Sequence, residues 1–222
     1  MGKYKNLTII GSSHIAKQSI IEVQDYINKN KPQIIAVELD RKRFLALFRK
    51  EKIKLKDIMH LGLKAFIINV IGAYVEKKLG KLVGVSPGDE MRTAIKLGSS
   101  YNANIALIDQ PIEITLKKLS KISFKEKFRI IVDIIKGVIF RKEIIKIERF
   151  DLNKVPSKEI IVKLINKVKR SYPETYNVLI KERNEIMAKA LNKIITLNPE
   201  ANILAIVGAG HETDIIKLLQ RS

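Results

Sequence analysis

The chain has no cysteine and no tryptophan. The first absence excludes disulfides, thiolate zinc sites and cysteine nucleophiles, so any metal must be held by histidine and carboxylates. The second, with only 7 Phe and 6 Tyr, removes most of the stacking surface that single-stranded nucleic acid needs. In 222 residues, 11 Gly and 6 Pro are too few for a disordered or repetitive chain. A long uninterrupted apolar run is also lacking. The stretch from Ile58 to Val75 is broken by His60, Lys64 and Asn69, which is short and polar for a membrane-spanning helix. It reads as a segment that packs on protein or lies along a membrane surface. The opening Met1-Gly2-Lys3-Tyr4-Lys5 runs straight into a strand with no signal-peptide pattern, so a cytoplasmic location is expected.

Acidic residues are scarce as well. Against 42 Lys+Arg stand 23 Asp+Glu, a net charge of +19. A basic chain suits nucleic acid, an anionic membrane surface, or simply solvated basic faces. No nucleic-acid motif accompanies the charge, which leaves nucleic acid the least favoured partner of the three.

What the chain does have is a set of short buried strands between helices. Leu7 to Ile10, Ile34 to Val37, Ile105 to Ile108 and Ile203 to Val207 are apolar runs of strand length. Helical stripes follow them, from Ser19 to Asn30, Arg41 to Lys50, Asp89 to Ser99, and after Gly208 as far as Leu219. Helices also fill the chain from Ile112 to Asn198, with a long one starting near Pro173-Glu174. Apolar strands alternating with helices predict an α/β fold, a small mostly parallel sheet with flanking helices. One domain is expected over residues 1–222, with helical insertions at about 55–82 and 116–170.

Ligands of parallel sheets sit outside the carboxyl ends of the strands, and here each end carries polar groups. They are Gly11-Ser-Ser-His14, Glu38, Asp109 and Gly208-Ala-Gly-His211. The first and last repeat one arrangement, an apolar run followed by Gly-x-x-His. Two imidazoles with one or two carboxylates can hold a divalent metal and activate water, or do metal-free acid–base work. Glu38 and Asp109 could instead cap the helices that follow them. His60, an isolated histidine, reads as structural. The turn Gly84-Val-Ser-Pro-Gly88 leads into Asp89-Glu90-Met91-Arg92. A turn feeding a helix N-terminus binds anions, and Arg92 adds a bidentate donor. Arg183, between Glu182 and Asn184, has the same potential and the same ordinary alternative of solvated surface.

Taken in order, these segments resemble the TraB/PrgY (pheromone shutdown) family, related to the Tiki metalloproteases and the GumN group. The matching stretches are Gly11-Ser-Ser-His14, Ala36-Val-Glu-Leu-Asp-Arg41, Gly84 to Arg92, Ile108-Asp109, Glu182-Arg183-Asn184 and Gly208-Ala-Gly-His211. The resemblance implies a metal-dependent hydrolase, with peptides the substrate class of the Tiki relatives. Carried over by position, it implies His14, Glu38, Arg183 and His211 as the catalytic set. Glu90, Arg92 and Arg41 are then substrate-binding candidates. His14, Glu38 and His211, with Asp109 as a further carboxylate, are candidate ligands for Mn, Co, Fe or Zn. A non-catalytic protein that sequesters a peptide or small anion in the same crevice is the alternative. Many prokaryotic members continue past the second Gly-x-x-His into membrane-spanning helices, whereas the sequence here ends at Ser222.

Overall fold

A computed structural model describes residues 1–13, 17–49, 88–139 and 157–221. The expected helical insertion at about 55–82, His60, His14 and residues 84–87 of the turn before Asp89 lie outside the described residues.

The sheet has five strands. They are β1 (Gly2–Tyr4), β2 (Leu7–Ser12), β3 (Ile34–Val37), β4 (Asn104–Leu107) and β5 (Ile203–Gly208), in the spatial order β1-β2-β5-β3-β4. All pairs are parallel except β1 with β2, so the α/β expectation holds. Strand β1 was not foreseen. It is a three-residue Gly-Lys-Tyr edge strand, too short and too polar to show alternation. Strands β2, β3 and β5 are legible because they are buried on both faces and so read as continuous apolar runs.

Helices α1 (Lys17–Asn30) and α3 (Asp89–Ser100) cover one face. Val23, Ile27, Met91, Ala94 and Ile95 pack there on Ile10, Ile35, Val37, Leu204 and Ile206. The other face carries α8 (Glu182–Leu197) and α9 (Ala209–Leu219). Met187, Ala188, Leu191, Ile195, Ile215 and Leu219 meet Leu7, Ile9, Ile34, Ala36, Ala205 and Val207. The remaining described elements are α2 (Arg41–Arg49), α4 (Ile112–Lys121), α5 (Phe124–Ile139), α6 (Lys158–Ser171) and α7 (Pro173–Tyr176). Helix α7 continues into α8 through a π-helical stretch, Asn177–Lys181, so the long helix expected from Pro173 is one rod with a wide turn in it.

The last strand lies in the middle. Strand β5 pairs with β2 on one side and β3 on the other, with Gly11 opposite Val207 and Ser12 opposite Gly208. The helix after β2 goes to one face and the helix after β5 to the other. Such a switch between neighbouring parallel strands opens a crevice at their carboxyl ends.

Gly11 is held to glycine by this close approach. A Cβ at that position would collide with Glu212 Oε2 and stand 3.1 Å from the Ala209 Cα. The carboxylate could move aside, but the helix backbone could not. Gly11→Ala should therefore destabilise the fold by about 1–3 kcal/mol, read as a lower urea midpoint. An unchanged midpoint would show that α9 can yield.

Candidate functional site

The crevice begins with Glu38. It follows β3, and its backbone N–H donates to Ile206 O at 3.1 Å, which keeps the residue beside β5. Its buried side chain accepts from Gly208 N–H at 2.5 Å and from Arg183 Nη2. Gly208 is the cap residue of α9, so Glu38 accepts one of the donors that a helix start leaves unpaired.

Arg183 comes from the first turn of α8 and lies between two carboxylates. Besides Glu38, it donates from Nε to both oxygens of Asp109, at 3.2 and 3.1 Å, and from Nη2 to Asp109 Oδ2 at 2.5 Å. Asp109 also accepts from Arg43 Nη2 at 2.7 Å and from Gln110 N–H at 2.8 Å, and its side chain is 0% exposed. Arg43 Nε in turn donates to Asp40 Oδ2 at 2.6 Å. Asp40 caps α2, accepting from the Lys42 and Arg43 N–H groups at 2.7 and 3.1 Å. The result is one chain of charges, Asp40, Arg43, Asp109, Arg183 and Glu38, running across the ends of β3 and β4.

His211 completes the group from the first turn of α9. Its Nδ1 lies 2.5 Å from Asn184 Oδ1, and its Nε2 lies 3.5 Å from Glu38 Oε1 and 3.5 Å from Arg183 Nη1. Nδ1 is thus within hydrogen-bond distance of the amide oxygen, and Nε2 is the nitrogen that faces Glu38 and Arg183. The π-helical turn just before Glu182 is part of the local design. A π turn inserts one residue into an α-helix and rotates everything after it, a device often found at functional sites.

The sequence-predicted residues divide accordingly. Glu38, Asp109, Arg183 and His211 converge. Glu90 is buried one strand away, its Oε1 accepting from Ser12 Oγ at 3.4 Å, with Ser12 opposite Gly208. Arg92 reaches elsewhere, donating from Nη2 to Leu47 O at 2.6 Å and so tying α3 to α2. Arg41 is exposed on the first turn of α2, and Arg43 is the arginine that enters the network. Sequence reasoning missed Arg43 and Asn184. A signal for Arg43 existed, since a residue three past an Asp cap can fold back to it. Asn184 also had one, as the polar member of an otherwise apolar stripe with Met187, Ala188, Leu191 and Ile195.

A model of the TraB/PrgY/gumN family matches residues 2–222. The chain belongs to that family. An uncharacterized protein of Methanocaldococcus jannaschii is 36% identical across 97% of this chain and 54% of its own length. The human and mouse TraB domain-containing proteins are each 22% identical, over 83% of this chain and 51% of theirs. The chain thus spans about half the length of the curated relatives it matches. All the converging groups of this TraB-family chain fall within the matched residues.

Among the described residues no group of three or more His, Asp and Glu forms a metal-binding cluster. Two donors do stand together, His211 Nε2 and Glu38 Oε1. Asp109 faces two guanidiniums instead of open space. A cavity of about 200 Å³ lies beside Gly11, Ala209 and Glu212, but neither Glu38 nor His211 lines it.

Asp109 and Arg183 hold each other in their ionised forms. Burial pushes the Asp109 carboxyl up, and the hydrogen bonds and positive charges of Arg183 and Arg43 outweigh it, leaving the group below the ordinary carboxylate range. Burial likewise pulls Arg183 down, and Glu38 and Asp109 more than reverse it. With its folded value below the unfolded ~3.9, Asp109 contributes stability that is complete above that pH. The contribution is lost as pH falls through the lower folded value. Asp109→Asn should therefore flatten the acid limb of the stability curve below about pH 4. Arg183→Met leaves two buried carboxylates short of a partner and should cost about 3–5 kcal/mol at neutral pH. A loss under 1 kcal/mol in denaturant titration would mean that the network is open to water.

Proposed function

We propose that this chain is a metal-dependent hydrolase acting on peptides, with its site at the carboxyl ends of the strands, beside Glu38 and His211. The observation that carries the reading is the pair His211 Nε2 and Glu38 Oε1, 3.5 Å apart with Nδ1 tied to Asn184. Donors around one tetrahedral ion with bonds of about 2.1 Å are separated by roughly 3.4 Å. An imidazole ligand commonly donates its other N–H to an oxygen, and Asn184 Oδ1 stands beside Nδ1 here. His211 and Glu38 would hold a Mn, Co, Fe or Zn ion, with His14, two residues beyond β2, as the proposed third donor.

Such an ion supplies Lewis-acid activation of water. The protein groups do the rest. Asn184 and Gly208 N–H fix the two donors, and burial keeps bulk water away from them. Arg183 Nη1 donates to Leu179 O at 3.2 Å and lies 3.5 Å from His211 Nε2, which leaves one of its two N–H groups for negative charge that develops on a carbonyl oxygen. Peptide as the substrate class rests on the resemblance to the Tiki relatives. The sequestering alternative is less well supported, because Arg43 and Arg183 are already engaged by buried carboxylates and cannot both grip an anion.

Equilibrium dialysis with Mn should show stoichiometric binding that weakens at least tenfold in His211→Ala and Glu38→Gln. A peptide library with added Mn should be cleaved by the native chain and not by those variants. Metal binding that survives His211→Ala would sink the site. Tight peptide binding without cleavage would favour sequestration.

The positive charge has a proposed role of its own, contact with an anionic membrane surface. No described helix is long and apolar enough to cross a membrane. Helix α5 packs through Glu126 and Ile130, while Phe124, Phe128 and Ile131 are 70%, 60% and 52% exposed on the opposite side. Exposed Lys121, Lys125 and Lys136 accompany them, the pattern of a helix that lies in a lipid interface. Flotation should recover the chain with anionic vesicles, less so at high salt, and Phe124→Ser with Phe128→Ser should release it. Equal recovery with neutral lipid, or recovery indifferent to the double substitution, would remove this role.

A further inference from the structure

Helix α8 turns a stripe of five buried residues toward the sheet, Asn184, Met187, Ala188, Leu191 and Ile195. Four are apolar and pack on the strands. Asn184, 2% exposed, is the polar one. Its Nδ2 is buried with no hydrogen-bond partner among the described residues. Its Oδ1 has one, the Nδ1 of His211 at 2.5 Å. A polar side chain on a core stripe with an unsatisfied end works against stability.

From this we infer that Asn184 is a positioning residue, whose amide oxygen holds His211 in the Nδ1–H tautomer and turns the Nε2 lone pair toward Glu38 and Arg183. The ring nitrogen that carries the proton is set by the hydrogen bond the other ring atom makes. At Nε2, Glu38 and Arg183 pull in opposite directions. A carboxylate oxygen, which would accept a proton, and a guanidinium, which would donate one, stand at the same 3.5 Å. At Nδ1 the acceptor Asn184 Oδ1 stands at 2.5 Å, so the choice falls there. The neighbouring groups support the arrangement. Arg183, adjacent in sequence, is pinned by Glu38 and Asp109, which fixes the helical turn that carries Asn184. His211 is fixed by the start of α9 beside Gly208, itself held by Glu38. The inference rests on the hydrolase reading only for the use made of Nε2; the tautomer stands without it.

The test is a long-range proton–nitrogen NMR correlation of the imidazoles at alkaline pH, where they are neutral. The chain has only 3 His, and the His211 signals are those lost in His211→Gln. The native chain should show Nδ1 protonated and Nε2 bare. Asn184→Leu should shift His211 toward the Nε2–H form with no loss of melting temperature. Asn184→Asp, which keeps the acceptor, should retain Nδ1–H. Mn affinity should fall about 10–100-fold in Asn184→Leu and be kept in Asn184→Asp. An Nε2–H signal in the native chain, or an unchanged tautomer in Asn184→Leu, overturns the inference. A native chain that shows Nδ1–H and responds to Asn184→Leu but binds no metal overturns the hydrolase reading and leaves the tautomer assignment standing. The native spectrum decides by itself if Asn184→Leu does not fold.

Discussion

The arrangement at the strand ends depends on Arg183 lying between Glu38 and Asp109. Two carboxylates at the ends of adjacent strands, both buried, repel each other and lose their hydration. A guanidinium between them offsets both costs. A single planar fork satisfies Asp109 from Nε and Nη2 and still reaches Glu38. A lysine could not do this, because its ammonium is a single point of charge. The bridge also ties α8 to β3 and β4, and Arg43 extends it to the cap of α2. Elements far apart in sequence are registered against one another by four or five charge-assisted bonds.

That registration explains how the last strand can sit in the middle of the sheet. Strand β5 enters between β2 and β3 late in the chain. Its exit then points at a crevice already walled by Ser12, Glu38 and Asp109. Gly208 donates to Glu38 at the moment the backbone turns into α9, so the helix start and the carboxylate neutralise each other. The repeated Gly-x-x-His pattern follows partly from sterics. Gly11 is needed because the start of α9 passes within van der Waals contact of it.

The sequence shows the parallel strands and their polar ends well because both signals are local. Full burial makes Ile34 to Val37 and Ile203 to Val207 uniformly apolar, and a Glu or Asp after such a run stands out. It does not show which arginine reaches in. Arg41 and Arg43 are equally basic, and only the cap at Asp40 turns Arg43 inward. Arg92 looked like an anion donor and serves to hold α2. Asp109 resembled a metal ligand or a cap, and in the fold both its oxygens accept from arginines. These are tertiary pairings between residues 66 and 74 positions apart, which no window of sequence contains. Strand β1 escaped notice for the opposite reason, being too short for any period to develop.

Local rules of stability fail together at one place. A π-helical turn interrupts a long helix, an asparagine occupies a core position with one end unsatisfied, and five charged side chains line the ends of two strands. Each is unfavourable by itself, and hydrophobic replacements of buried ion networks are often neutral or stabilising. Elsewhere in the described residues the two sheet faces are packed almost wholly with Ile, Leu, Val, Met and Ala. Three of them stand around Nε2 of His211 and Oε1 of Glu38, at the carboxyl ends of β3 and β5. Deviations from good packing are expected where a site needs its groups in a set geometry. Their coincidence is the physical reason to look for the site beside Glu38 and His211 and not in the cavity beside Glu212.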